Sequence, residues 1–193
     1  MEGIAMGTLR YLLVMSTAVF VVSGLTAQSA VNVKVGVIDR KFKDESSLIH
    51  CGISYGVDVI IEDSRFLFMP GLHYQQYDIY GTESRSNIFS RSDDFHQMSL
   101  PLSFGTWLFA DRWIKVRAYA GGHINFIVGV DSNSAQVNLD RVTAVHPGWQ
   151  IGGQLMLWRI TFDARYYHDY RNVINVRKDS TVRGWEFLIG IAL

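Results

Sequence analysis

Hydrophobic and polar residues alternate along most of this chain with a period of two, which is the signature of extended strands. The segment from Arg159 to Arg171 shows it well. One parity carries Arg159, Thr161, Asp163, Arg165, Tyr167, Asp169 and Arg171, and the other carries Ile160, Phe162, Ala164, Tyr166, His168 and Tyr170. Seven further segments alternate in the same manner, at 31–39, about 49–61, 65–77, 95–109, 113–128, 148–158 and from 181 to the end. In the first, Val31, Val33, Val35 and Val37 oppose Asn32, Lys34 and Gly36, and in the last Trp185, Phe187, Ile189 and Ile191 oppose Gly184, Glu186 and Gly190. The pattern predicts eight strands.

Connections between these segments alternate in length. Short turns are expected at 62–64, at 110–112 and near 158, and longer polar connections at 40–48, 78–94, 129–146 and 172–180. Short turns on one side and long loops on the other, with an even strand number, describe an up-and-down barrel of the outer-membrane kind. The charge on the polar parity supports that choice. Lys34, Asp58, Lys115, Arg117, Asp163, Arg165 and Glu186 all fall on the face opposite the apolar one. Seven charges would be a costly core for a soluble sandwich. They suit the interior of a membrane barrel, where polar groups point inward and apolar ones meet lipid. The expectation is therefore an all-β, eight-stranded antiparallel transmembrane barrel. Its lumen would be filled by side chains, because eight strands leave little more room than that, and the seven charges would form a structural ion-pair network rather than a pore.

Composition narrows the function classes. The 193 residues carry 18 basic and 18 acidic side chains, so the charge excess that marks a nucleic-acid binder is absent. Cys51 is the single cysteine, which leaves no intramolecular disulfide and no CxxC element. Arg10 precedes an apolar run at 11–22, and small residues follow up to Ala27. This reads as a secretory signal peptide over 1–27, with the barrel domain over 28–193.

Candidate chemistry is thin. His50, His73 and His123 share the inward parity, yet no HxH or HExxH spacing accompanies them, so no metal site is expected. His96, His146 and His168 fall at predicted loop edges. A hydrolase-like set can be written from His168, Asp169 and either Ser132 or Ser134, but no GxSxG element supports it. Neither catalysis nor a cofactor is expected. Aromatics gather near both strand ends: Trp149, Tyr166, Tyr170 and Trp185 toward the long loops, Phe109, Trp113 and Trp158 toward the short turns. Interfacial girdles of this kind belong to membrane barrels.

The segment Met98-Ser-Leu-Pro-Leu-Ser-Phe-Gly-Thr-Trp107, followed by Val116-Arg-Ala-Tyr-Ala-Gly-Gly-His123, resembles the middle of the PorT-like outer-membrane β-barrel family of Bacteroidetes. There an (I/L)P(L/I) strand precedes one ending in GG or GP. The Ala27–Gln28 break is similar to signal cleavage sites common in that phylum, whereas the final Leu193 departs from the terminal aromatic of proteobacterial barrels. The resemblance implies an outer-membrane barrel, and some relatives named PorT take part in type IX secretion and gliding. The reading at this level is a monomeric outer-membrane protein with both termini periplasmic and a structural or interaction role. Its partners would be membrane lipid and envelope proteins reached through loops 40–48, 78–94, 129–146 and 172–180. The alternatives are an accessory part of a type IX secretion or gliding machinery, and a barrel that handles a small ligand or lipid.

Overall fold

The computed structural model describes residues 28–42, 50–63, 65–78, 94–130, 143–172 and 181–193. Segment 1–27, the serines at 132 and 134, and nearly all of the four long connections lie outside them. The described residues form eight strands: β1 (Gln28–Phe42), β2 (His50–Asp63), β3 (Phe66–Asp78), β4 (Asp94–Ala110), β5 (Ile114–Val130), β6 (Val145–Leu157), β7 (Ile160–Asn172) and β8 (Thr181–Ala192). Each pairs antiparallel with its sequence neighbours, and β1 pairs with β8, so the sheet closes into a barrel. The expected eight-stranded antiparallel barrel is the fold observed, with strand ends displaced by up to three residues.

Those displacements matter at the rim. Arg40, Asp78, Asp94, Gly129, Val130, Val145, His146 and Asn172, assigned from the sequence to connections, belong to strands. Polarity near a strand end misleads, because an inward residue there is polar for reasons of lumen chemistry, not of solvent. Arg40 and His146 are both buried.

Alternation sorts the side chains as the period of two requires. Val35 and Phe187 are 51 % exposed on the outer wall, while Lys34 and Glu186 beside them in sequence are 3 % and 2 % exposed. Large apolar side chains cover the outside of every strand, among them Ile53, Phe66, Leu102, Ile124, Ile151, Phe162 and Ile189. This arrangement is the reverse of a water-soluble barrel.

Local devices keep the wall continuous. A register shift between Trp107 and Phe109 turns both Leu108 and Phe109 outward and leaves Trp107 half-buried inside, which is how a bulge re-aims a side chain. Trp158 takes φ 56° and donates its backbone N–H to the Trp113 carbonyl at 2.8 Å. That left-handed backbone lets β6 reverse into β7 over two residues, at a strain cost for a bulky side chain.

Candidate functional site

The lumen is layered. Toward the short turns lies an apolar plug of Ile60, Leu67, Met69 and Tyr119, with Ala30 and Trp107 packed against it. Toward the long loops lies a second, of Ile38, Tyr77, Phe95, Ile127, Tyr167 and Val182. Between them is a charged waist. The sequence reading, which assigned the inward face to polar residues, did not separate these plugs. Their signal is a break in alternation: Val37-Ile38, Ile60-Ile61 and Phe66-Leu67-Phe68-Met69 are apolar on both faces.

Five of the seven predicted charges meet in the waist. Lys34 Nζ donates to Asp58 Oδ2 at 2.5 Å and also to Asp163 Oδ2. Arg165 Nη2 lies 3.4 Å from both Asp58 Oδ2 and Asp163 Oδ2, and its Nε lies 3.3 Å from Glu186 Oε2. Two cations and three carboxylates thus share one buried space. Buried charge is tolerable only when its hydrogen-bonding capacity is met, and neutral groups help to meet it here. Tyr119 and Gln154 donate to Asp163, His73 Nε2 donates to Asp58 Oδ1 at 2.8 Å, and Gln75 donates to Glu186 at 3.0 Å. His73 therefore serves a carboxylate.

Lys115 and Arg117 do not join the waist. They stand nearer the short turns, where Lys115 Nζ lies 5.3 Å and the Arg117 guanidinium carbon 5.4 Å from the centroid of Trp107. Among the described residues neither forms a salt bridge, and the buried Arg117 guanidinium nitrogens have no hydrogen-bond partner. Both cations lie against the indole in cation–π contact.

A third polar group borders the loop-side plug, and its arginine, assigned from the sequence to a connection, escaped the sequence reading. The Arg40 guanidinium carbon lies 4.0 Å from the centroid of Tyr77 and 5.2 Å from that of Tyr167. Arg40 donates to Gln97 Oε1 at 2.8 Å and to Gln75. Close by, His123 Nε2 donates to Asp169 Oδ1 at 2.6 Å, and Asn125 donates to the same oxygen at 3.1 Å. Asp169 is thus engaged inside the barrel. His168 faces the outer wall against Trp149 and Tyr170, so His168 and Asp169 stand on opposite sides of the sheet. The hydrolase-like set written from the sequence has no geometric basis in these two residues; the histidine that pairs with Asp169 is His123. His146 is buried rather than hydrated at an edge. His96 contacts the Tyr74 hydroxyl through Nδ1. The side chain of His50 lies outside the described residues.

Glycines make room for the large inward groups. A Cβ on Gly152 would stand 2.5 Å from the Tyr119 hydroxyl oxygen, and one on Gly184 would stand 2.7 Å from that of Tyr167. What space is left is small. One cavity of about 10 Å3 sits beside Lys34, Asp58, Asp163 and Arg165, and another of about 10 Å3 beside Arg40, His123, Tyr167 and Glu186. Each is near the minimum for one water. Among the described residues, no group of three or more histidine, cysteine or carboxylate side chains is placed to hold a metal ion.

No protein-family model matches this sequence, and no curated protein matches it in sequence. Solved structures match it in shape. Neisserial surface protein A aligns at a TM-score of 0.53 and 18 % identity, covering 86 % of this chain and 96 % of its own. The outer-membrane enzyme PagL aligns at a TM-score of 0.58 and 15 % identity, covering 84 % of this chain and 99 % of its own. At such identities the likeness is one of fold: this chain has the closed eight-stranded antiparallel architecture of these outer-membrane barrels. One of the two is an enzyme, so the architecture by itself does not decide between scaffold and catalyst.

Proposed function

We propose that this chain is a bacterial outer-membrane β-barrel with a structural or interaction role: lipid solvates its wall, its lumen is sealed by side chains, and its loops meet other envelope components. One observation carries the reading, the inversion of polarity across the sheet. Apolar side chains half exposed outside and charges almost fully buried inside would favour association in water. In hydrocarbon the same arrangement is stable, because a closed barrel leaves no backbone edge unsatisfied. Two apolar plugs flanking a paired waist support a lumen that conducts nothing. Segment 1–27 is read as the signal peptide that exports the chain. The start of β1 and the end of β8 sit together on the short-turn side, where the Leu193 backbone N–H donates to the Val31 carbonyl, and that side is assigned to the periplasm.

The reading is non-enzymatic: what supports it is the burial of the His123–Asp169 pair inside the closed lumen. The PorT-like assignment, and with it an accessory role in type IX secretion or gliding, rests on residues 98–107 and 116–123. The lipid-handling alternative rests on a feature of the outer wall treated below. Envelope fractionation with gel mobility before and after boiling tests the class: the expected result is a membrane-bound protein whose mobility shifts on boiling. A soluble chain with no shift would overturn it. Planar-bilayer recording tests the seal, and a stable unitary conductance would remove that part of the proposal.

A further inference from the structure

The outer wall is not uniform around the barrel. On β5, β6 and β7, Ala118, Gly153 and Ala164 stand in mutual register. With the larger Leu155, Phe162 and Phe187 around them they leave an apolar concavity of about 650 Å3. Small side chains alone would indicate only a thin spot in the wall. The strands above the concavity add a second feature. Arg183 is exposed on the outer face of β8, directly opposite His168 on β7, and Arg171 is exposed near the loop-side end of β7. Between the basic residues and the concavity, Tyr166 and Trp185 face each other with ring centroids 5.3 Å apart, and Trp185 stacks on Phe187 at 6.1 Å. Asp39 on β1 is the acidic neighbour, opposite Trp185 and one step lower than Arg183.

These features lie in one column and in an order that matches a lipid: cation, aromatic collar, apolar trough. Ala164 is four residues from His168 along β7, which at strand rise is about 13 Å. One leaflet of hydrocarbon is about 15 Å deep. A chain whose phosphate sits at Arg183 therefore reaches the trough with its tail. Guanidinium groups suit phosphate oxygens geometrically, and aromatic rings suit the interface where head meets tail. The opposite side of the barrel has a different outer face at this height. There the tilted rings of Tyr55 and Tyr74 lie 5.1 Å apart and Tyr74 meets His96, and no arginine or lysine faces outward at that height on β2, β3 or β4 among the described residues. The charge and the trough coincide on one side only.

We infer that the β7–β8 face is a binding site for one phospholipid of net negative charge in the loop-side leaflet, held at its head by Arg183 and His168 and at its tail in the trough around Ala164. This rests on the membrane reading above and names a ligand for it. The probes are dimyristoyl phosphatidylglycerol and dimyristoyl phosphatidylcholine, added to the full chain folded in detergent micelles, with retained lipid counted by native mass spectrometry. We expect retention of a single phosphatidylglycerol in preference to phosphatidylcholine. Arg183→Ala should cut that retention about fivefold, the effect of one interfacial cation on an anionic lipid. Ala164→Trp, which fills the trough without touching charge, should lower retention of both lipids. Both positions face outward, and a preserved mobility shift on boiling verifies folding. If a folded Arg183→Ala chain retains lipid as the parent does, or the parent holds both lipids equally, the wall carries annular lipid only and the site is refuted. If the parent fails to enter micelles or bilayers as a folded barrel, the membrane reading falls, and this site with it.

Discussion

Two buried arginines of the same lumen stand in contrasting company. Arg165, in the waist, is shared among Asp58, Asp163 and Glu186. Arg117, at 1 % exposure, has an indole ring at 5.4 Å and no hydrogen-bond partner among the described residues. Burial is therefore not what separates a structural charge from a tolerated one. The difference lies in how many opposite groups the register brings within reach, since a charge in a dry space is stabilised only by what surrounds it. The waist holds the barrel by mutual satisfaction, and the turn-side pocket holds a cation that the packing merely accommodates.

Four substitutions, one of them also combined with Tyr119→Phe, would sharpen or break that contrast, each measured by urea unfolding of the folded barrel with tryptophan fluorescence. The largest effect is expected from Arg165→Met, which takes from Glu186 the cation that pairs with it and leaves Asp58 and Asp163 paired with Lys34. A loss of about 3–5 kcal/mol is expected from breaking a buried ionic group in this way. An unchanged midpoint would mean that the waist is held by its neutral donors alone. Next comes a charge on the outer wall. Ile151, 52 % exposed at the middle of β6, should cost ~2–4 kcal/mol as Ile151→Arg in a bilayer. No cost there would show that the wall does not face hydrocarbon. Gly152→Val should cost about 1–3 kcal/mol by overpacking against Tyr119. That would also disturb the Tyr119 donation to Asp163, so pairing it with Tyr119→Phe should give a smaller sum than the separate losses. The smallest effect is expected from Arg117→Met, within about 1 kcal/mol of the parent or stabilising, since a buried cation without a partner gives up little when replaced by an apolar group of similar length. A loss on the scale of Arg165→Met would reveal a partner that the contrast denies.

Parity was enough to place Asp163 and Arg165 inside and Phe162 and Ala164 outside, because successive side chains on a strand point to opposite faces whatever the strand is paired with. The same rule assigned Lys34, Asp58 and Glu186 correctly to the inside, and it placed Arg117 there too. It said nothing about which of these would meet. Arg40 was hidden for a related reason: at a strand end, a polar residue facing the lumen and one facing water look alike in sequence.

What the sequence determined by itself is local and periodic: the strands, the facing of side chains away from the bulges, the alternation of turn and loop lengths, and through these the closed barrel. What tertiary structure decided is the company each inward residue keeps. Lys34 reaches Asp163 across 129 residues of chain because closure brings β1 against β8 and sets β7 just beyond it. The same closure stacks apolar inward residues into two plugs and leaves Arg117 beside Trp107. It also brings Ala118, Gly153 and Ala164 into register across β5, β6 and β7. A period of two carries the information of one strand, whereas pairing, register and height in the lumen are properties of eight strands closed together.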